Sequence, residues 1–202
     1  MAAAKRIVLL DSGGANLGSV QAAFARLGHE APVTSDWARI QAATHVVLPG
    51  VGAAAASMAT LRANGLDKLV GRLAQPLIGI CIGMQLLYER SEEGGTECLG
   101  LLPGKVSRLP ASEGVRIPHM GWNRLDVREP SHPLVAGLDR EWVYFVHSYG
   151  VRALDGALAS CTHGEAFAAV VARGRVMGAQ FHPERSAAAG SRLLQNFLDI
   201  DA

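Results

Sequence analysis

The chain alternates two hydrophobic rhythms. Short, largely apolar runs at residues 6–10, 45–48 and 76–80 read as buried strands. Between them apolar positions recur at helical spacing. Leu17, Val20, Phe24 and Leu27 form one stripe across residues 16–27, and Gly28 closes that helix. Residues 53–63 and 84–90 predict two more helices, and residues 31–34 a weak strand. Glycine-rich turns follow the first two strands: Asp11-Ser12-Gly13-Gly14, then Pro49-Gly50-Val51-Gly52. Strands alternating with helices imply parallel βαβ units and a sheet covered on both faces. The last third changes rhythm. Residues 142–149, 156–161, 167–172 and 175–181 predict strands, with Arg173-Gly174 as a tight hairpin and residues 191–198 as a closing helix. The expected fold class is α/β: an open, mixed, mostly parallel sheet flanked by helices, with an antiparallel C-terminal section. One domain spans residues 1–202.

Composition narrows the classes of function. A length of 202 residues buries a sizeable core without disulfides or metals. Hydrophobic residues at 49% against 18% charged exclude a disordered chain. A net charge of +1 lacks the basic excess of a nucleic-acid or anionic-membrane binder, so neither partner is expected. The first ten residues carry Lys5 and Arg6 before only four apolar positions. That is too short for a signal peptide or a membrane span, and a soluble cytoplasmic protein is expected. Cys81, Cys98 and Cys161 are odd in number and form no CxxC pair, which argues against a disulfide scaffold or a cysteine-rich zinc module. No metal-ligand spacing occurs, and no cofactor is expected.

The strongest local signal is Gly79-Ile80-Cys81-Ile82-Gly83, between an apolar strand and a helix. It has the form of a nucleophile elbow with cysteine at the nucleophile position. A sharp strand-to-helix turn projects the side chain, and small neighbours let strand and helix approach. The helix N-terminus favours a thiolate, and the Ile82 N–H can face a developing oxyanion. Cys98 and Cys161 have no such context and are expected to be inert. A cysteine nucleophile calls for a base, and the base for an orienter. His29, His45, His132 and His163 have no supporting residues, and most are expected at unremarkable surface positions. His119, His147 and His182 remain open. Only His182 has a carboxylate, Glu184, two residues on, at the end of an apolar strand. The Gly50–Gly52 turn follows another strand, where ligands of open α/β sheets sit, and its glycines could turn an N–H toward the ligand.

Gly79-Ile80-Cys81-Ile82-Gly83-Met84-Gln85 together with Phe181-His182-Pro183-Glu184 resembles the class I (triad) glutamine amidotransferases. Within that class, Asp11–Asn16, Pro49–Gly52, Phe145–Tyr149, His182–Ser186 and especially Pro118-His119-Met120-Gly121-Trp122-Asn123 resemble glutaminase subunits that serve a cyclase in histidine biosynthesis. The resemblance implies a flavodoxin-like architecture, with Cys81 as nucleophile, His182 as base and Glu184 as orienter. It implies that Gly50, Val51, Gly52 and Ile82 supply oxyanion donors. Gln85 and Glu93 would contact L-glutamine, and the main chain around Ser148 and Tyr149 would hold its α-carboxylate. His119, Met120, Trp122, Asn123, Tyr144 and Arg185 would lie near the partner surface. Arg185 stands where lysine is frequent. The implied partner is a cyclase with a (β/α)8 barrel, in a heterodimer. It receives ammonia and makes imidazole glycerol phosphate and an aminoimidazole carboxamide ribotide. A glutaminase subunit of another synthase, such as pyridoxal phosphate synthase, and a cysteine hydrolase acting alone are the rival readings. Pro118–Asn123 argues against the former.

Overall fold

A computed structural model describes residues 5–14, 16–50 and 52–201. Strands β1 (Ile7–Leu10), β2 (Val33–Thr34), β3 (His45–Gly50) and β4 (Leu77–Cys81) are followed by the short β5 (Arg90–Ser91), β6 (Thr96–Glu97) and β7 (Lys105–Arg108). Then come β8 (His119–Arg124), β9 (Asp126–Val127), β10 (Trp142–His147), β11 (Tyr149–Gly150), β12 (Ala157–His163), β13 (Glu165–Arg173) and β14 (Val176–Ala179). The helices are α1 (Leu17–Arg26), α2 (Trp37–Ala42), α3 (Ala54–Ala63), α4 (Ile82–Leu86) and α5 (Ala187–Leu198).

The main sheet has eight strands in the order β2-β1-β3-β4-β14-β13-β12-β9. Pairing is parallel from β2 to β14 and antiparallel from β14 to β9. This is the mixed sheet the two rhythms predict. Its central strands are buried along their length, as runs covered on both faces must be. Helix α1 seals the sheet with Val20, Ala23 and Phe24, and α5 with Leu193, Leu194, Phe197 and Leu198. Parallel pairing brings the C-terminal ends of β1, β3, β4 and β14 to one rim, where the functional turns lie.

Several boundaries differ from expectation for identifiable reasons. Helix α4 runs over Ile82–Leu86 rather than residues 84–90. It begins directly after the elbow. It ends early because the carbonyls of Leu86 and Leu87 accept from the N–H groups of Leu99, Leu101 and Leu102. The run 142–149 splits at Ser148, whose carbonyl accepts from Leu109; Tyr149–Gly150 then pairs with β7 in a separate small sheet. Helix α2 was not expected. Asp36 caps it, accepting from Ala38 N at 2.8 Å and Arg39 N at 3.4 Å. Strand β8 pairs antiparallel with β10 as a two-stranded ribbon beside the main sheet.

Candidate active site

The elbow is built by close approach. A Cβ on Gly83 would lie 1.8 Å from the Leu48 carbonyl oxygen, and one on Gly79 would lie 2.5 Å from the Gly83 carbonyl oxygen. Only glycine lets α4 cross β3 and β4 at this distance. Cys81, the last residue of β4, takes φ 53° and ψ −110°, a strained conformation for a residue with a Cβ. Ile82 is the first residue of α4, so its N–H has no acceptor within the helix.

A cavity of about 570 Å³ opens over the elbow. Cys81, Ile82, Gln85, Glu93, His182 and Gly52 line it, with Ser148, Tyr149 and Arg185 at other walls. The structure thus brings together residues from β4, α4, the turn after β3 and the segment after β14. Val51, expected in the oxyanion turn, lies outside the described residues. Gly50 ends β3 and packs against Gly83 and Ile82.

His182 Nδ1 lies 2.7 Å from Glu184 Oε1, both side chains almost fully buried. Nε2 is buried without a hydrogen-bond partner. Burial alone would lower the His182 pKa. The neighbouring Cys81 sulfur and the Glu184 carboxylate outweigh it and raise the value to about 10. The sulfur and the carboxylate thus favour the charged imidazolium, although Nε2 has no completed hydrogen bond. Gln180 donates weakly to Cys81 Sγ at 3.9 Å. The other two cysteines contrast. Burial pushes the Cys98 thiol up to about 11 and the Cys161 thiol up to about 12, so both stay protonated at neutral pH.

Gln85 is fully buried. Its Nε2 donates to the Tyr149 carbonyl at 2.8 Å and to Gln180 Oε1 at 3.0 Å, while its Oε1 has no partner. Glu93 Oε2 accepts from Ala54 N at 2.8 Å and so caps α3, directly after the 50–52 turn. Two further residues touch this machinery, from the Asp11–Asn16 segment that the resemblance marked without assigning either of them a role. Asn16 Nδ2 donates to Glu184 Oε1 at 2.6 Å, and Ser12 Oγ donates to the Pro49 carbonyl at 2.6 Å. Both belong to the turn after β1, and that turn's position on the same rim was the available signal.

The expected surface residues divide. Met120 and Trp122 are 64% and 50% exposed on the ribbon's outer face. Tyr144 packs edge-on to Trp122, and the Arg185 guanidinium sits 5.1 Å over the Tyr144 ring. His119, by contrast, is 3% exposed, which corrects its expected place at the surface. In a strand, alternate side chains take opposite faces, so Met120 outward sends His119 inward. There its Nδ1 meets His147 Nε2 at 3.1 Å, and the Asn123 amide reaches both His119 Nε2 and the Thr162 carbonyl. Asn123 itself stays half-buried at the ribbon's edge. Burial lowers His119 to about 3 and His147 to about 4, so both are neutral. Since His147 Nδ1–H donates to the Tyr149 carbonyl at 2.8 Å, its Nε2 accepts from His119. His45 is also buried rather than superficial, bridging Thr44 Oγ1 and the Ile200 carbonyl. Among the described residues, no group of three or more His, Cys, Asp or Glu side chains could hold a metal ion. No helix among them is long and apolar enough to cross a membrane.

Comparison with known proteins adds an independent line. The glutamine amidotransferase class-I family matches residues 8–200. The chain is 55% identical over 196 residues to the imidazole glycerol phosphate synthase subunit HisH of Xanthomonas oryzae pv. oryzae (strain MAFF 311018). That alignment covers 96% of this chain and 97% of the relative. It is 52% identical to the subunit of the same name from Xylella fastidiosa (strain Temecula1), with 97% and 98% covered. Among solved structures, a glutamine amidotransferase superposes with a TM-score of 0.75 at 24% identity, covering 96% of this chain and 97% of that one. PurLQS from Thermotoga maritima superposes at 0.73 and 20% identity, with 96% and 98% covered; both support the fold alone.

Proposed function

The chain belongs to the class-I glutamine amidotransferase family, and on that premise we propose that Cys81, His182 and Glu184 hydrolyse glutamine in histidine biosynthesis. The chain is the glutaminase partner of a cyclase subunit that makes imidazole glycerol phosphate and aminoimidazole carboxamide ribotide, and it passes its ammonia to that subunit. The observation that carries the assignment of residues is one cavity lined by both the strained Cys81 elbow and a His182 bonded to Glu184.

At neutral pH the raised His182 pKa keeps the imidazole protonated beside the sulfur. Cys81 attacks the side-chain amide carbon as the thiolate, its proton resting on His182, and the tetrahedral oxyanion is met by the Ile82 N–H and by N–H groups of the 50–52 turn. His182 gives its Nε2 proton to the amide nitrogen. The C–N bond breaks, ammonia leaves, and a γ-glutamyl thioester remains on Cys81. Water then attacks the thioester carbon while neutral His182 takes its proton. The C–S bond breaks and glutamate leaves. Glu184 holds Nδ1 throughout. Gln85 and Glu93 grip the substrate, and the main chain at Ser148 and Tyr149 receives its carboxylate. Support for that grip is the unpartnered Gln85 Oε1 and the position of these residues on one cavity.

The reading extends to one domain over residues 1–202, in the cytoplasm, where a free thiol stays reduced. The partner is a (β/α)8-barrel cyclase in a heterodimer, docked on Met120, Trp122, Tyr144 and Arg185. Neither nucleic acid nor a membrane takes part. Ammonia is mostly ammonium in neutral water, so a barrel interior that excludes water keeps it nucleophilic. The test is glutamine hydrolysis by the chain alone and with the cyclase, with and without the cyclase's phosphoribulosyl substrate. Stimulation by both is expected, and absence of a complex and of stimulation overturns the partner. Cys81→Ala should abolish glutamine-dependent synthesis yet leave synthesis from added ammonium salts intact. Retained glutamine-dependent synthesis would rule out Cys81 as nucleophile.

A further inference from the structure

We propose that Asn16 is a positioning residue for the catalytic set, a tether that fixes Glu184 so that Glu184 can fix His182. The inference rests on the reading of Cys81, His182 and Glu184 given above.

Glu184 is almost wholly buried, and among the described residues its side chain has two polar partners. Both address the same oxygen. Oε1 lies 2.7 Å from His182 Nδ1 and 2.6 Å from Asn16 Nδ2, while Oε2 is buried without a partner. A carboxylate only accepts hydrogen bonds, so the Asn16 amide must present its nitrogen there. Arg185, next in sequence, gives Glu184 no cation, because its guanidinium lies over Tyr144. Without Asn16, the carboxylate would be held in place by the same imidazole it is meant to orient.

The local structure shows that Asn16 is diverted to this task. It occupies the N-cap position of α1, where asparagine is favoured because its side-chain oxygen accepts a first-turn N–H. Asn16 makes no such bond. Its side chain instead spans 168 residues of sequence to the turn after β14. Residues 11–13, just ahead of it, are anchored. The buried Ser12 hydroxyl donates to the Pro49 carbonyl at 2.6 Å, Asp11 Oδ1 accepts from Gly13 N at 3.2 Å, and Asn64 donates to the Asp11 carbonyl at 3.4 Å. A short polar side chain on an anchored turn positions its target more narrowly than a long flexible one. The same turn thus bonds the strand leading into the 50–52 turn through Ser12 and the His182–Glu184 pair through Asn16.

The test is a double-mutant cycle read two ways. In the complex with the cyclase and its phosphoribulosyl substrate, Asn16→Ala should lower kcat for glutamine hydrolysis about tenfold, as loss of an outer support does, with KM changed less than about twofold. In the Glu184→Ala background the same substitution should cost nothing further, because its effect passes through Glu184. In the chain alone, alkylation of Cys81 by iodoacetamide at pH 7 should slow about threefold in Asn16→Ala and be indifferent to Asn16 once Glu184 is gone. Should Asn16→Ala not fold by circular dichroism, Asn16→Asp keeps the size and removes the donor, and should lose at least as much kcat. Unchanged kcat in the folded single variants, or losses that multiply in the double variant, overturn the proposal. If the unsubstituted complex hydrolyses no glutamine, the functional reading fails instead, and the alkylation cycle still decides the role of Asn16.

Discussion

His182 is held charged in a place where burial favours the neutral form, and His119 and His147 are held neutral a short distance away. The two situations have opposite consequences for stability. A histidine whose folded pKa is raised, here to about 10 from the usual 6.5, stabilises the fold most below pH 6.5, and that contribution is lost as pH climbs through about 10. Histidines lowered to about 3 and about 4 stabilise the fold above pH 6.5, and their contribution is lost as pH falls toward those values. Thermal melts from pH 4.5 to 10 should therefore respond to substitution on one side at a time. His182→Gln should flatten the alkaline fall of the melting temperature and leave the acid side alone. His147→Phe should flatten the acid side only. An alkaline limb identical in His182→Gln and the parent would show that the imidazolium adds nothing to folding.

At the scale of elements, the site depends on two contacts between backbones. With a Cβ 1.8 Å from the Leu48 carbonyl, Gly83→Ala forces α4 away from β3, an overpacking that costs about 3 kcal/mol, or roughly 10 °C in melting temperature for a domain of this size. Gly18→Ala in α1 is the matched control: open space surrounds that position, and alanine should stabilise the helix by about 0.5–1 kcal/mol. Equal melting temperatures for the two variants would refute the packing account. A Cβ on Gly190 of α5 would lie 1.9 Å from the Pro183 carbonyl, so the turn bearing Glu184 is seated on α5 in the same way. Sequence reading reached much of this. Buried strands betray themselves as apolar runs, and the Gly-x-Cys-x-Gly spacing follows from the crossing of α4 over β3 and β4. Strand β8 escaped it because its alternation is inverted, with Met120 and Trp122 outside and His119 inside. Helix α2 is six residues, under two turns, too short for a periodicity, although Asp36 marked its start. Strands β5 and β6 are two residues each. The partner of Asn16 was illegible, because an N-cap asparagine predicts a local bond and the actual one lies 168 residues away.

The whole molecule has one apolar surface that its own packing leaves uncovered among the described residues. The outer face of the β8–β10 ribbon pairs Trp122 with Tyr144 and Met120 with Val146, and Val146 also lines the active-site cavity. The exposed face therefore runs without interruption into the mouth of the site. Exposed side chains of this size add little to the stability of an isolated chain, because their apolar area stays in water whether or not it folds. Their worth lies in association, where aromatic anchors carry a disproportionate share of the binding energy. A lid formed by the cyclase on this ribbon would close the cavity and direct ammonia inward rather than into solvent, which ties docking to productive transfer. Trp122→Ala should accordingly weaken binding to the cyclase by about 2 kcal/mol, roughly thirtyfold in Kd by titration calorimetry. The melting temperature of the chain alone should move by no more than about 2 °C. Trp142→Ala supplies the internal comparison. Trp142 is 54% exposed and pairs with Arg124 at the ribbon's far end from the cavity, so a partner that caps the site should depend on it less. A Kd insensitive to Trp122, or more sensitive to Trp142, would place the cyclase elsewhere and leave the ribbon's outward aromatics without this explanation.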